Sequence, residues 1–200
     1  MTRYSAALAA MLLAATAAAA ADWSAPFDGK TLNGWKAEGN AAWTVEKREL
    51  VGRQGPGGAA GDLYSVAQWK NFELEAEWTM RFPGNSGIWF RVNGPQTGYQ
   101  ADFLDQSSHP GVLSGSLYCM GKAFIAENRD ASTVKREGWN RIRIRASGDE
   151  FTIVQNGKEV VRVRDTAFPG AGSIGIQVHA GKQFDGMEVR IRNLRVRSLD

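Results

Sequence analysis

The sequence is poor in cysteine, in histidine and in charge of one sign. Its 200 residues include a single cysteine, Cys119, so no intramolecular disulfide can form and burial alone must hold the fold together. We expect Cys119 to act as a small buried hydrophobic residue rather than as a reactive thiol. The formal net charge is only +3, and no block of like charge stands out. This composition argues against a nucleic-acid partner.

One long apolar run is present, and it is N-terminal. The stretch MTRYSAALAAMLLAATAAAAADWS has an early arginine, an Ala/Leu/Met-rich middle and small residues near Ala19–Ala21. This order predicts a signal peptide over residues 1–21 and one domain over 22–200. A transmembrane anchor is the alternative, but the run is weakly apolar and lacks flanking stop-transfer charges. We therefore expect a periplasmic or secreted protein that has no membrane attachment after cleavage.

No helical period is sustained after the signal. Short alternating segments recur instead between Gly, Pro and Asn residues, which predicts an all-β fold, an antiparallel β-sandwich. AWTVEKRELVG is expected to form a hairpin, and Asn156-Gly157 is a strong hairpin turn signal. The stretch from Ser107 to Gly138 shows no clear period and is expected to be a long loop. The Gly-rich loop Gly52–Asp62 is expected to be flexible and could border a site.

The C-terminal strands alternate arginine with aliphatic residues. This is the usual pattern of an antiparallel strand with one solvated face, although a surface for an anionic ligand is the alternative. Aromatic stacking residues are not interleaved with these arginines, which again disfavours nucleic acid. The strand with Glu73, Glu75 and Glu77 has two interpretations, a cleft edge or a solvated face. The arginines concerned are Arg141, Arg143, Arg145, Arg190, Arg192, Arg195 and Arg197.

Three other strands present a different outward face. They combine one aromatic residue with planar hydrogen-bonding groups, and this mixture suits a carbohydrate. An indole can pack on sugar C–H groups while amide, carboxylate and guanidinium groups bond the hydroxyls. The alternative is that the strands are not neighbours and the residues are scattered. The residues are Trp89, Arg91, Gln100, Asp102, Gln177 and His179.

Nine segments in order resemble the DUF1080 family, also called the 3-keto-disaccharide hydrolase domain family. They are FDGKTLNGWK, WTVEKRELVG, FELEAEW, GNSGIWFRV, GYQADFLD, SLY, GWNRIRI, QNGKEVV and GSIGIQVH. The resemblance covers essentially the whole mature chain. It implies a jelly roll of the concanavalin A-like lectin/glucanase type, with the site on the concave face of one sheet.

Carried onto this chain, the family's motifs fall on a defined set of positions. The chain departs from the family at two of them, with Gln100 where many members have Glu and Asp102 where they have Gln. If that Glu is a base or a metal ligand in the family, its role is expected to have moved to Asp102 or to have been lost. The matched positions are Asn85, Ser86, Gly87, Arg91, Gly98, Tyr99, Gln100, Asp102, Asp105, Gln177 and His179.

The resemblance implies an exported hydrolase or lyase of 3-keto-glycosides, which removes the C2 proton, eliminates the C1 leaving group and adds water. Such chemistry needs a base, a stabiliser of the oxyanion and an acid. We expect His179 to be the base or a metal ligand, because an imidazole is mostly neutral at neutral pH. Arg91 is expected to stabilise the enediolate, and Asp102 to accept a hydrogen bond from His179 or share a divalent metal with it.

The remaining expectations concern binding and alternatives. Trp89 is expected to stack on the sugar. The polar residues expected to bind the sugar hydroxyls are Asn85, Gln100, Asp105, Tyr118 and Gln177. His109 is expected at the surface. The tryptophans expected in the core are Trp35, Trp43, Trp78 and Trp139.

Three alternatives stay open. His179 could simply be a hydrogen-bonded strand residue. The protein could be a lectin-like carbohydrate-binding module without turnover, or an ordinary β-glucanase, although no matched pair of carboxylates is evident.

Overall fold

The computed structural model describes residues 22–94, 97–104 and 109–200. Within these ranges the chain forms fourteen strands and two short 3-10 turns. The predicted signal peptide lies outside the described residues, and no described helix is long and apolar enough to cross a membrane. The strands are β1 Trp35–Gly39, β2 Ala42–Glu46, β3 Glu49–Arg53, β4 Gly61–Trp69, β5 Phe72–Met80, β6 Asn85–Val92, β7 Tyr99–Leu104, β8 Leu113–Cys119, β9 Ala123–Asn128, β10 Asn140–Ser147, β11 Glu150–Gln155, β12 Lys158–Arg164, β13 Gly172–Val178 and β14 Glu188–Ser198.

The strands form two antiparallel sheets of seven strands each. The first sheet has the order β1-β4-β13-β6-β7-β8-β9, and the second has the order β12-β11-β10-β5-β14-β3-β2. The predicted all-β antiparallel sandwich is therefore confirmed. Chain neighbours such as β6, β7 and β8 pair directly, whereas β13 inserts between β4 and β6. This insertion brings the C-terminal GSIGIQVH segment beside the strands that carry Trp89 and Asp62.

The core lies between the sheets because side chains alternate along each strand. Phe90 on β6 and Phe103 on β7 point inward from the first sheet and are fully buried. Trp78 comes from the second sheet and stacks on Phe103, with ring centroids 4.0 Å apart and planes 10° from parallel. This contact joins the two inner faces at the centre of the sandwich.

The expectation for the tryptophans holds in part. Trp35 and Trp78 are buried in the core, and Trp43 packs against it while partly exposed. Trp139 is not in the core. It precedes β10 on the outer side of the second sheet, where the Arg192 guanidinium lies 3.9 Å from its ring centroid.

The two predicted hairpins are confirmed, and their turns show why. Asn156 and Gly157 have φ values of 49° and 87° between β11 and β12, the left-handed pair that a tight two-residue hairpin requires. Lys47 and Arg48 adopt φ values of 50° and 64° between β2 and β3. The second turn carries no glycine, so it was recognisable only from the alternation on both sides.

The expected long loop between Ser107 and Gly138 is wrong in part, because it contains the strands β8 and β9. Their alternation is hidden by two buried serines. The Ser114 hydroxyl accepts a hydrogen bond from the Leu104 backbone at 3.0 Å, and the Ser116 hydroxyl accepts one from the Asn128 backbone at 2.8 Å. Both serines are fully buried. Satisfied hydroxyls can replace apolar groups in a strand, and the sequence pattern does not show this.

Cys119 is fully buried at the end of β8, as predicted. Burial raises the pKa of its thiol to about 11, with the Asp165 carboxylate adding to the shift. A thiol in this state is a poor nucleophile, so the interpretation of Cys119 as a hydrophobic residue is confirmed.

The arginine-rich strands form a ladder of ion pairs with the glutamates of β5 on the outer face of the second sheet. Glu75 is the centre of this ladder and is only 3% exposed. It accepts hydrogen bonds from Arg141 at 2.9 Å, Arg143 at 2.8 Å and Arg195 at 3.0 Å. The glutamates therefore do not line a cleft on the first sheet, and the arginines serve the solvated face of the second.

This ladder predicts a loss of stability in acid. Burial alone would raise the pKa of Glu75, but hydrogen bonds from Arg195, Arg143 and Arg141 outweigh it and lower the pKa from about 4.5 to about 2. The folded state then holds its charge where the unfolded chain is protonated. The stabilisation is present above about pH 4.5 and is lost as pH falls towards about 2.

We expect Glu75→Gln to lower the free energy of unfolding by about 1–3 kcal/mol at neutral pH, since the three guanidinium groups remain half exposed and screened. The difference should shrink to near zero at about pH 2. Urea unfolding at both pH values measures it. Glu159→Gln, which removes an exposed carboxylate paired with Arg162, is the control and should change little. An equal loss for Glu75→Gln at both pH values would exclude the charge as its cause.

Candidate functional site

The outer face of the first sheet holds a cavity of about 220 Å³, which we call the His179 cavity. Most of the site residues predicted from the sequence meet in it. Both histidines of the chain line it, although His109 was expected only to be a surface residue. The lining residues are Asn85, Trp89, Gln100, Asp102, His109, Tyr118, Met120, Phe124, Gln177 and His179.

Strand register explains why these residues meet. Trp89 on β6 lies opposite Gln100 on β7, and Gln100 in turn lies opposite Tyr118 on β8. Gly87 lies opposite Asp102 in the neighbouring row. A Cβ at Gly87 would stand 2.7 Å from Gln100 Cγ and 2.8 Å from the Ala101 carbonyl oxygen. Glycine at this position therefore lets the Gln100 side chain lie close over the sheet.

Asp102 is the acid among the lining residues of the cavity. It is 4% exposed, and burial raises its pKa well above the usual value near 3.8. In the amide orientation that satisfies Gln100, the Gln100 nitrogen donates to Asp102 Oδ1 at 2.5 Å and its oxygen accepts from Trp89 Nε1 at 3.2 Å. Burial disfavours the charged form of this carboxyl group, and in the neutral form its hydroxyl can donate a hydrogen bond.

His179 directly follows β13, and both its ring and its backbone are anchored. Nδ1 lies 2.7 Å from the Ala180 carbonyl oxygen, so this nitrogen must carry a proton and the lone pair of the neutral ring is on Nε2. The backbone N–H donates to Asn85 O at 3.3 Å. The carbonyl of His179 accepts from Gln54 Nε2 at 3.0 Å. The imidazole is exposed and is thus presented with a basic nitrogen of defined identity.

The expected contact between His179 and Asp102 is not formed. The Ala180 carbonyl occupies the Nδ1 side of the ring, and Asp102 bonds to Gln100 instead. The Gly52–Asp62 segment does border the site, as expected, because Gln54 holds the His179 and Gly181 carbonyls.

The chain is similar in sequence to a known family and to a known enzyme. The 3-keto-alpha-glucoside-1,2-lyase-like domain family matches residues 22–197. The chain belongs to this family. A 3-keto-disaccharide hydrolase from Bacteroides thetaiotaomicron is 29% identical over 87% of this chain and 77% of its own length. The family resemblance read from the nine sequence segments is therefore confirmed.

Solved structures support the fold at lower identity. The carbohydrate-binding module CBM66 from Bacillus subtilis is 21% identical, with a TM-score of 0.64 over 82% of this chain and 96% of that one. A protein with a galectin-like fold, also from Bacillus subtilis, is 11% identical, with a TM-score of 0.73 over 90% of this chain and 96% of that one. These similarities confirm a lectin-like sandwich.

Arg91, the family position expected on the outer face, does not lie in the His179 cavity. It has a φ of 54° at the point where the register of β6 and β13 shifts, so the alternation of β6 is broken there. Its side chain is 1% exposed and points to one end of the sandwich. There the guanidinium donates to the carbonyls of Lys70 at 2.9 Å, Gly148 at 2.9 Å and Phe168 at 3.2 Å. Its position fits a structural role, and the expected outward orientation is wrong.

Trp89 lies in the cavity wall but is not the exposed platform that was expected. It is 5% exposed, and its Nε1 donates to Asp62 Oδ1 at 3.1 Å. Tyr118 packs edge-on against it with ring centroids 6.2 Å apart. The accessible aromatic surface of the cavity is supplied by the half-buried Tyr118 and Phe124.

Sequence reasoning missed several lining residues. His109 packs its ring edge-on against Phe124 at 5.4 Å, and it was missed because it lies outside the strands. Asp62 and Tyr64 lie beside this cavity on β4 rather than in its lining, and they were missed although GDLYS alternates them with the buried Leu63 and Ser65. The period that identified Gln100 and Asp102 would have identified this pair too.

Two expectations concern a metal and a further acid. Among the residues that the structure describes, His, Cys, Asp and Glu do not gather in a group of three that could hold a metal ion. His179 and Asp102, the two candidate ligands, line the same cavity. Asp105, a predicted hydroxyl-binding residue, lies outside the described residues.

Proposed function

We propose that this protein is an exported hydrolase or lyase that cleaves 3-keto-glycosides in the His179 cavity. Membership of the 3-keto-alpha-glucoside-1,2-lyase-like family and the similarity to a 3-keto-disaccharide hydrolase support this substrate class. The ketone at C3 acidifies the hydrogen at C2. A base takes that proton, the resulting enolate expels the C1 oxygen as its carbonyl re-forms, and water then adds at C1.

His179 is the base in this scheme. Its Nδ1 proton is engaged by the Ala180 carbonyl, so the free lone pair belongs to Nε2. This contact fixes the ring orientation, as a base requires. The observation that carries the proposal is the pairing of this oriented imidazole with a buried carboxyl in one cavity.

Asp102 is the group that stabilises the enolate. In its protonated form, which burial favours, this carboxyl can donate a hydrogen bond to the developing oxyanion, and such a donor is most effective when it is fixed beforehand and shielded from water. Gln100 fixes it by donating to Oδ1. Asp102 thereby takes the role first assigned to Arg91, and Asn85, Gln100, Tyr118 and Gln177 are left to bind hydroxyls.

The test is release of nitrophenol from α- and β-linked 3-keto-glucosides, beside the unoxidised glucosides, with and without EDTA. We expect release from a 3-keto compound only, because the unoxidised sugar has no acidified C2 hydrogen. Release from both would favour ordinary glycosidase chemistry. Loss of release with EDTA would add a metal to the scheme.

A lectin-like carbohydrate-binding module is the second candidate. The departures at Gln100 and Asp102 and the similarity of the fold to CBM66 favour it. It predicts a calorimetric binding signal for the sugar without release from any compound.

A further inference from the structure

A second, larger cavity adjoins the His179 cavity on the same sheet face. Its volume is about 670 Å³, and it shares Trp89, Met120 and Gln177 with the first. We call it the Asp62 cavity. The two cavities form one cleft, with the shared residues at the junction. Its far wall comes from β1 and β4 and carries Lys36 and Tyr64, a cation and a phenol ring of the kind that binds polyhydroxylated groups.

Asp62 lies at the junction of the two cavities. Trp89, which lines both, donates its Nε1–H to Asp62 Oδ1 at 3.1 Å. Gln177, which also lines both, is the direct cross-strand partner of Asp62. Both contacts hold the carboxyl beside the residues that separate the two cavities.

One hydrogen-bonded row connects this acid to the other. The indole N–H that reaches Asp62 also lies 3.2 Å from the Gln100 oxygen, and the Gln100 nitrogen donates to Asp102 at 2.5 Å. The cleft floor therefore holds two carboxyl groups in a fixed relation, one in each cavity. A two-part substrate would meet one carboxyl group with each of its parts.

The surroundings of Asp62 suit a proton donor. Burial raises its pKa to about 6, and the carboxylate of Glu38 on β1 adds to the rise. Hydrogen bonds from Tyr64 on β4 and Trp89 on β6, and the charge of His179 after β13, act in the opposite direction. Lys36 faces the same cavity from β1. A carboxyl with this pKa keeps an appreciable protonated fraction near neutral pH.

Building on the function proposed above, we propose that Asp62 is the general acid that protonates the leaving oxygen, with the keto sugar in the His179 cavity and a hydroxyl-rich leaving group in the Asp62 cavity. His179 Nε2 takes the C2 proton. The enolate electrons re-form the C3 carbonyl, a C1–C2 double bond forms, and the C1–O bond breaks. The leaving oxygen receives the Asp62 proton and departs as an alcohol. Water then adds across the C1–C2 double bond, with its hydroxyl on C1 and a proton on C2, and gives the free 3-keto sugar.

The test compares two leaving groups. 4-Nitrophenolate is stable as an anion and needs no acid, whereas a sugar alkoxide does. We expect Asp62→Asn to lower kcat/KM for a 3-keto-disaccharide by about 10²–10⁴-fold, and to lower it for the nitrophenyl 3-keto-glucoside by less than about tenfold. Asparagine keeps an oxygen acceptor for the Trp89 N–H, and melting temperature reports whether the variant is folded. Glu159→Gln, an exposed carboxylate on β12 of the other sheet, is the control for both substrates.

A second measurement needs no variant. In the wild type, kcat/KM for the disaccharide should fall as pH rises through about 6, because the acid form of Asp62 is lost, and this limb should be weak for the nitrophenyl compound. Equal losses for both substrates in Asp62→Asn, no loss for either, or identical pH limbs would overturn the role of Asp62 alone. Wild-type enzyme that releases neither leaving group would overturn the proposed function and this inference together.

Discussion

Replacing His179 with alanine is expected to lower kcat for release from 3-keto-glucosides by about 10²–10⁴-fold, the usual contribution of a positioned general base. The substitution removes the imidazole ring, whose Nδ1 faces the Ala180 carbonyl and whose free lone pair is therefore on Nε2. The backbone hydrogen bonds to Asn85 and Gln54 do not involve the side chain, so the strand end should keep its place. Steady-state kinetics on the nitrophenyl substrate measures the effect.

The chain supplies its own matched control, because its other histidine lines the same cavity. His109 packs edge-on against Phe124 in the wall. We expect His109→Ala to lower kcat by less than about tenfold, because His109 shapes the wall of the cavity and does not move a proton. Added imidazole should restore part of the activity of His179→Ala, which a purely structural loss would not allow. A larger loss in His109→Ala than in His179→Ala would transfer the role of base to His109.

The fold and the greater part of the cavity could be predicted because they depend on alternation. Gln100, Asp102 and Gln177 were assigned to outward positions by a period of two, and the sheet order places them together. Asp62 and Tyr64 obey the same period. They could not be assigned to the site from the sequence, because no residue pattern shows that β13 inserts beside β4.

The failures arise where the period is broken or where a side chain has more than one possible partner. Arg91 sits at a register shift with a left-handed backbone, and no glycine marks that position in the sequence. His179 was expected to donate a hydrogen bond to Asp102, but its Nδ1 lies against the carbonyl of the next residue instead. Trp89 is outward by period, yet its neighbours cover it. Such choices are decided by packing in three dimensions, which a strand pattern does not encode.

Replacing Asp102 with asparagine is expected to stabilise the protein while slowing it. Burial raises the pKa of Asp102 well above its usual value near 3.8, so above about pH 4 the unfolded chain releases a proton that the folded chain retains. Stability therefore falls as pH rises from that value towards the folded pKa. Asparagine keeps the oxygen that accepts from Gln100 but has no proton to release. We expect a gain of roughly 1–3 kcal/mol in the free energy of unfolding at about pH 8.

The same substitution removes a carboxylic acid donor from the position where the enolate oxygen would develop. An amide N–H is a weaker donor, and we expect kcat to fall by about 10²–10³-fold, as for loss of one oxyanion donor elsewhere. KM should change little, because the lost interaction belongs to the transition state. Urea unfolding and steady-state kinetics on one preparation measure both effects.

The expected stability changes of two substitutions have opposite signs, which separates the possible roles of Asp102. Glu75 on the outer face of the second sheet has a lowered pKa and is expected to lose stability when neutralised, whereas Asp102 is expected to gain it. A purely structural acid at position 102 predicts greater stability with unchanged kcat, and an ionised, paired acid predicts lower stability. If Asp102 is a buried acid that lowers the stability of the fold but acts in catalysis, Asp102→Asn should give greater stability with slower turnover.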